Sequence, residues 1–153
     1  MDKRALVICL SVAGMALFGC QSQQQATDAT LHTPDLQGNW QVEDIDAGGV
    51  IDFSQLTVQF PQESRISGYT GCNQYTAALE QNGNQLTVLQ PASTRRLCAE
   101  AISMQEQRFL AALNAAAKFQ QHPNGSLTIF DASGDQRLTL MPITSNVKQA
   151  DGE

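Results

Sequence analysis

From Trp40 onward the chain alternates short runs of two-residue period with polar, glycine-containing breaks. Trp40-Gln41-Val42-Glu43-Asp44-Ile45 mixes apolar and polar positions as a half-buried strand does, and Asp46 to Gly49 reads as a turn. Leu56, Val58 and Phe60 share one face of a second strand, stopped by Pro61. Arg65 to Tyr69 and Gln74 to Gln81 flank a turn at Gly71-Cys72-Asn73. Asn82-Gly83-Asn84 supplies a hairpin turn, because Asn-Gly accepts the positive φ that tight hairpins require. Leu86 to Leu89 is the returning strand, ended by Pro91. Between Ala99 and about Lys118 the period changes. Ile102, Phe109, Leu110, Leu113 and Ala117 mark one face of an amphipathic helix, with Glu100, Gln105, Glu106, Gln107 and Arg108 as helix formers around them. Asn124-Gly125 and Ser133-Gly134-Asp135 then punctuate two further strands, with Leu127 and Ile129 on one and Leu138 and Leu140 on the other. The pattern predicts an α+β fold: a curved antiparallel sheet or open β-barrel of six or more strands, folded around one amphipathic helix.

The ends differ from this middle. Lys3 and Arg4 precede a 13-residue apolar run, Ala5 to Leu17, shorter than the roughly 20 residues a helix needs to span a bilayer. Leu17-Phe18-Gly19-Cys20 follows, and it resembles a lipobox, the bacterial pattern cut before a Cys whose thiol carries lipid. Phe18 is bulkier than is usual at its position. The resemblance implies a signal peptide over 1–19 and lipidation at Cys20, with acyl chains such as palmitate contributing about 0.8 kcal/mol of membrane affinity per buried methylene. Gln21 stands where Asp would be the usual inner-membrane retention signal, which implies an outer-membrane lipoprotein facing the periplasm. Residues 20–35, rich in Gln, Thr, Ala and Asp, read as the lipidated Cys and a flexible tether. Residues 36–142 form the folded domain, and 143–153 a disordered tail. There is no internal repeat.

Charge narrows the partners. The full chain carries a formal net charge of -6, and loss of residues 1–19 leaves seven basic against fourteen acidic side chains, or -7. Lys3-Arg4 and Arg95-Arg96 are the longest basic runs, so a nucleic-acid partner is not expected. The partners expected are the membrane, through the N-terminal lipid, and an envelope protein or apolar ligand, bound by a monomer. Of the two histidines, His32 lies in the tether and His122 in a turn beside Pro123, neither near a nucleophile with an orienting carboxylate. No cofactor loop or metal-binding spacing is present in the sequence, so neither cofactor nor metal is expected. Asp44 with Asp46, or Glu100 with Glu106, could serve as acid and base in a glycosidase-like site. Solvated faces account for them better, with Glu100 favoured at the positive end of the helix dipole.

Two clusters resemble a known family. Gly68-Tyr69-Thr70-Gly71-Cys72-Asn73-Gln74-Tyr75 is similar to the Gly-x-x-Gly-Cys-Asn-x-aromatic signature of the META domain, the family of the HslJ heat-shock protein. Thr94-Arg95-Arg96-Leu97-Cys98, followed by Glu106, Phe109 and Leu113, resembles the family's second block, and Gly38-Asn39-Trp40 its opening strand. Ala77-Ala78 stand where a Gly is common, and Arg96 where Met is frequent. The resemblance implies no enzymatic chemistry and a link to envelope stress and integrity. Its family residues here are Gly68, Gly71, Cys72, Asn73, Thr94, Cys98 and Glu106. Gly68 and Gly71 suit close approach and positive φ, Asn73 suits a backbone-bonded or left-handed turn, and Glu106 suits an ion pair with Arg95 or Arg108. Trp40 and Phe109 read as core.

Cys9 leaves with the leader and Cys20 is taken by lipid, so Cys72 and Cys98 remain as a pair in an oxidising compartment. A disulfide between them is expected, the alternative being two buried thiols acting as small apolar residues. The leading expectation for function is a non-enzymatic envelope lipoprotein that binds a protein or apolar ligand. The alternatives are an inhibitor or chaperone of a secreted enzyme, using loops near Asp46 and Ser64, and a cell-wall hydrolase.

Overall fold

A computed structural model describes residues 36–60 and 64–144. The expected leader over 1–19, Cys20, the expected tether, residues 61–63 and residues 145–153 lie outside the described residues. Eight strands and one helix follow in the order β1 (Gly38–Ile45), β2 (Thr57–Phe60), β3 (Arg65–Tyr69), β4 (Gln74–Asn82), β5 (Gln85–Ser93), α1 (Glu100–Asn114), β6 (Lys118–Gln121), β7 (Leu127–Phe130) and β8 (Gln136–Pro142). All neighbours are antiparallel, and β8 returns to pair with β1, so the pairing runs round the sheet. The ring is irregular at two seams. β2 and β3 share one paired position, Gln59 with Ser67, beside an isolated bridge from Leu56 to Thr70. β5 and β6 also share one, Gln85 with Lys118. The architecture is therefore the expected α+β curved sheet with one helix, and not a regular closed barrel.

Each seam has a local cause. At the first, Gly68 lies against the backbone of β2, and a Cβ there would collide with the Thr57 carbonyl. At the second, β6 runs past the β4–β5 hairpin, with the Phe119 N–H on Asn84 O at 2.9 Å. The rest of β5 packs beside α1.

The inner face is apolar. Val42, Ile45, Val58, Ile66, Val88, Ile129, Leu138 and Leu140 are all buried, and in β1 a bulge between Val42 and Asp44 carries the inner face on to Ile45. Trp40 is buried as expected, its indole N–H donating to Leu36 O at 3.0 Å. The helix lays Phe109, Ala112 and Leu113 against this interior, and the Phe109 ring meets Tyr75 edge-on at 5.4 Å.

Three expectations need correction. The helix ends at Asn114 instead of reaching Lys118, although alanines continue it in sequence. Ala117 is captured by the sheet instead, its N–H on Phe130 O at 2.9 Å, and Phe119 is buried in the wall. Residues 118–121 thus form a strand, β6, that the single apolar residue Phe119 did not announce. Strand β5 also continues through Pro91 to Ser93. The register against β4 shifts between Thr76 and Ala78, opposite Gln90 at φ +50, and this irregularity accommodates a residue with no N–H to donate.

Candidate functional site

The loops that join β1 to β2, β3 to β4 and β5 to α1 meet at the N-terminal half of the helix. Strand β3 ends at Tyr69, Thr70 makes an isolated bridge to Leu56, and Gly71, at φ +87, turns the chain into Cys72 and Asn73. Cys72 is bridged to Cys98, with Cα atoms 6.2 Å apart. The disulfide expected from the sequence is present, and it pins the helix start to the sheet. The N-cap residue, Ala99, makes no side-chain capping bond, so the covalent link fixes an end that has no polar cap.

Glu106 is the centre of this end. It is nine-tenths buried, and its carboxylate accepts from Asn73 Nδ2 at 2.8 Å, Thr70 Oγ1 at 2.9 Å and Ser93 Oγ at 3.0 Å. Asn73 faces both ways: its Oδ1 accepts from the Arg96 N–H at 2.8 Å and Thr94 Oγ1 at 2.9 Å. Its own N–H donates to Thr70 Oγ1 at 2.9 Å. One carboxylate and one amide therefore tie together three chain segments that are distant in sequence. No buried side-chain nitrogen or oxygen among the described residues lacks a partner.

Gly71, Cys72, Asn73, Thr94, Cys98 and Glu106 converge here. Gly68 stands apart, where its role is the close approach to Thr57. Glu106 does not pair with Arg95 or Arg108, because neutral donors already occupy its oxygens and Arg108 donates to Ile45 O at 2.6 Å. Asn73 is not left-handed; its side chain crosses to the helix instead. Thr70 and Ser93 complete the cluster without having been assigned a role. Thr70 lies inside the first motif and Ser93 adjoins Thr94, so a hydroxyl beside each motif was the available signal.

Beside the hub, the helix holds the β1–β2 loop. Gln105 accepts from the Ile51 N–H at 2.6 Å and donates to Ser54 Oγ at 2.9 Å. Asp44 accepts from the N–H groups of Ala47 at 2.8 Å and Gly49 at 2.7 Å. Between loop and helix lies an open cleft of about 320 Å³ with Val50, Ile51, Ala101 and Met104 on its walls. A second, more polar cleft of about 330 Å³ lies over Glu106, lined by Ser93, Thr94, Arg95, Arg96 and Ser103 among others.

The candidate carboxylate pairs do not converge. Asp46 pairs with Arg137 at 2.6 Å, Asp44 serves the turn, Glu100 is exposed in the first helical turn, and Glu106 is enclosed in the hub. His122 Nε2 lies 2.9 Å from Thr128 Oγ1. Among the described residues no group of three or more His, Cys, Asp or Glu side chains is placed to hold a metal. Tyr75, beneath the hub, has its hydroxyl on Thr57 O at 3.1 Å, and burial pushes its ionisation well above the usual phenol range.

The META domain profile matches residues 29–142, which takes in both motif blocks, the disulfide and every strand and helix described. The chain belongs to the META domain family. Solved structures share the fold at low identity. A protein from Burkholderia xenovorans, solved by NMR, is 19% identical with a TM-score of 0.57, the match covering 71% of this chain and 83% of that one. A second NMR structure is 23% identical at TM-score 0.55, over 69% and 89%. A DUF4847 family protein from Bacteroides vulgatus ATCC 8482 is 14% identical at TM-score 0.51, over 69% and 92%. No curated protein sequence matches this META domain chain.

Proposed function

We propose that this META domain protein is a lipid-anchored, non-enzymatic component of the bacterial cell envelope, held at the outer membrane and facing the periplasm. In this reading it binds a protein or an apolar ligand in envelope stress response or integrity. The anchor is argued from Leu17-Phe18-Gly19-Cys20 after the apolar run, and the Cys72–Cys98 bridge fits an oxidising compartment. One observation carries the non-enzymatic part: the family residues use their polar groups on one another. Glu106 accepts from three neutral donors, and among the described residues it is the only carboxylate lining the cleft above it, so no acid–base pair forms there. Binding then falls to the surface, where the cleft between the β1–β2 loop and α1 offers apolar walls.

The pinned β1–β2 loop favours a second reading, an inhibitor or chaperone of a secreted enzyme. Gln105 and Asp44 fix its backbone while Phe53 stands fully in solvent, as an inserting loop requires. Purified mature protein is expected to leave glycan, peptide and ester substrates unchanged. A photo-crosslinker at Ile51 in intact cells is expected to capture one discrete envelope component. Turnover that disappears in Glu106→Gln would replace this proposal with the hydrolase reading.

A further inference from the structure

At the hub end of the barrel two loops each raise an apolar side chain wholly into solvent. Phe53 and Leu97 are both 104% exposed, the highest values among the large apolar residues described. Both are rigidly placed. Phe53 sits at φ +61, an unfavourable conformation for a bulky residue, in a turn closed by the Ser54 N–H on Ile51 O at 3.0 Å and held by Gln105. Leu97 lies between Arg96, whose N–H is on Asn73, and the bridged Cys98. Gly71 packs near Ser54, and its neighbour Cys72 holds Cys98, so the two knobs flank one hub.

Arg95 and Arg96 accompany Leu97. Both are exposed, and no carboxylate among the described residues pairs with them. Asp52 and Glu100 are exposed near them and balance their charge locally, Asp46 of the same loop being paired with Arg137, on a mature chain of net charge -7.

We propose that this end docks on an anionic phospholipid surface. Phe53 and Leu97 enter the boundary of the acyl chains while Arg95 and Arg96 meet head-group phosphates. The shape favours lipid over a protein. The knobs are convex and stand on separate loops, so a protein would need two matched pockets, whereas a bilayer yields to any spacing. The chain length outside the structure permits the contact. Strand β1 enters at Gly38, at the end away from the tip, and its eight residues span about 26 Å. The fifteen residues from 21 to 35 reach about 50 Å when extended, enough for the barrel to turn its far end back to the membrane. The inference rests on the anchored reading, and the experiment separates the two.

The lipidated full chain is mixed with vesicles of phosphatidylethanolamine and phosphatidylglycerol bearing brominated acyl chains, in Phe53→Trp and Ile143→Trp forms. Leu97→Trp is a second reporter should Phe53→Trp not fold, and the buried Trp40 gives a constant background. Flotation reports the anchor; quenching reports the tip. Emission at position 53 or 97 is expected to fall at least about twofold, with position 143 unchanged. Arg95→Gln/Arg96→Gln is expected to lower the docked-to-undocked ratio roughly thirtyfold, and exchange of phosphatidylglycerol for phosphatidylcholine is expected to lower it by less, because Asp52 and Glu100 offset the attraction of the arginines to surface charge. Flotation without quenching at 53 and 97 overturns the docking and leaves the anchor. Quenching without flotation leaves the docking and overturns the anchor, and absence of both overturns both. Quenching that appears only after an envelope protein is added shows that the tip meets that protein, and overturns direct lipid docking.

Discussion

The barrel interior and the hub at its end are both buried, yet different physics specifies them. In the interior, Val42 stands beside Leu140 and Leu138 lies between Ile45 and Ile129 in the paired register. What matters there is apolar volume at alternate positions, so several residue types would serve. In the hub, Glu106, Asn73, Thr70, Ser93 and Thr94 each give or receive specific hydrogen bonds, and a disulfide closes the set. A buried polar cluster is stable only when every member is satisfied, so a substitution there disturbs more than its own contacts. The comparison teaches that the hub, not the core, sets the geometry of the loops around it.

The largest test removes the covalent tie. Cys72 and Cys98 are 26 residues apart, and closing that loop contributes about 3.5 kcal/mol in the chain-entropy model, against roughly 5–15 for a whole domain. Cys72→Ser/Cys98→Ser is expected to lower the unfolding free energy by about that amount in urea titration. Amide exchange at Arg96 to Cys98 should also accelerate more than exchange in β7 and β8. Uniform acceleration would mean that the bridge supports the entire barrel and that the hub is no separate unit.

A smaller effect sharpens the contrast by making a similar change in each region. Glu106→Met keeps length but removes the acceptor shared by Thr70, Asn73 and Ser93. The Thr70 hydroxyl can turn to Asn73 O at 3.1 Å, whereas Asn73 Nδ2 keeps only Cys72 Sγ, at 3.4 Å. A cost of about 3 kcal/mol is expected. Leu138→Met in the wall conserves volume and should cost less than about 1.5 kcal/mol. Equal losses, measured by the same denaturant titration, would erase the distinction.

The same division explains what could be read from the sequence. Wall strands were legible because alternate apolar residues repeat in β1, β2, β4, β7 and β8. Strand β6 was not, since Lys118-Phe119-Gln120-Gln121 offers one apolar side chain and follows an alanine run that favours helix. Its strand state comes from tertiary bonds such as the Phe119 N–H on Asn84 O. Gln105 and Glu106 looked like solvent-side helix formers. They are buried because Ser54 and Ile51 on one side, and Thr70, Asn73 and Ser93 on the other, meet their polar ends. Periodicity cannot see such partners. The family resemblance marked Glu106, Asn73 and both cysteines as motif residues, while the nearby arginines suggested an ion pair for Glu106 where the structure has neutral donors.

Tyr75 belongs to both regions, and its titration gives the smallest and most specific test. Its ring packs edge-on against Phe109 in the interior, while its hydroxyl donates to Thr57 O at 3.1 Å beside the Gly68 contact. Burial raises its ionisation well above the ordinary value of 10.0. A group whose folded pKa is raised contributes stability that is complete below its unfolded pKa and is lost as pH climbs toward the folded value. Stability contributed by Tyr75 is therefore intact at neutral pH and falls above pH 10, by up to about 1.4 kcal/mol per pH unit for one proton. Tyr75→Phe keeps the ring but deletes the hydroxyl, and should cost about 1 kcal/mol at neutral pH through the lost bond to Thr57. It has no phenol to ionise at this position, so its alkaline limb is flatter. The two stability curves are then expected to cross within about one unit above pH 10. Curves that stay parallel through that range would show that Tyr75 ionises as readily folded as unfolded, and that the interior beneath the hub admits water.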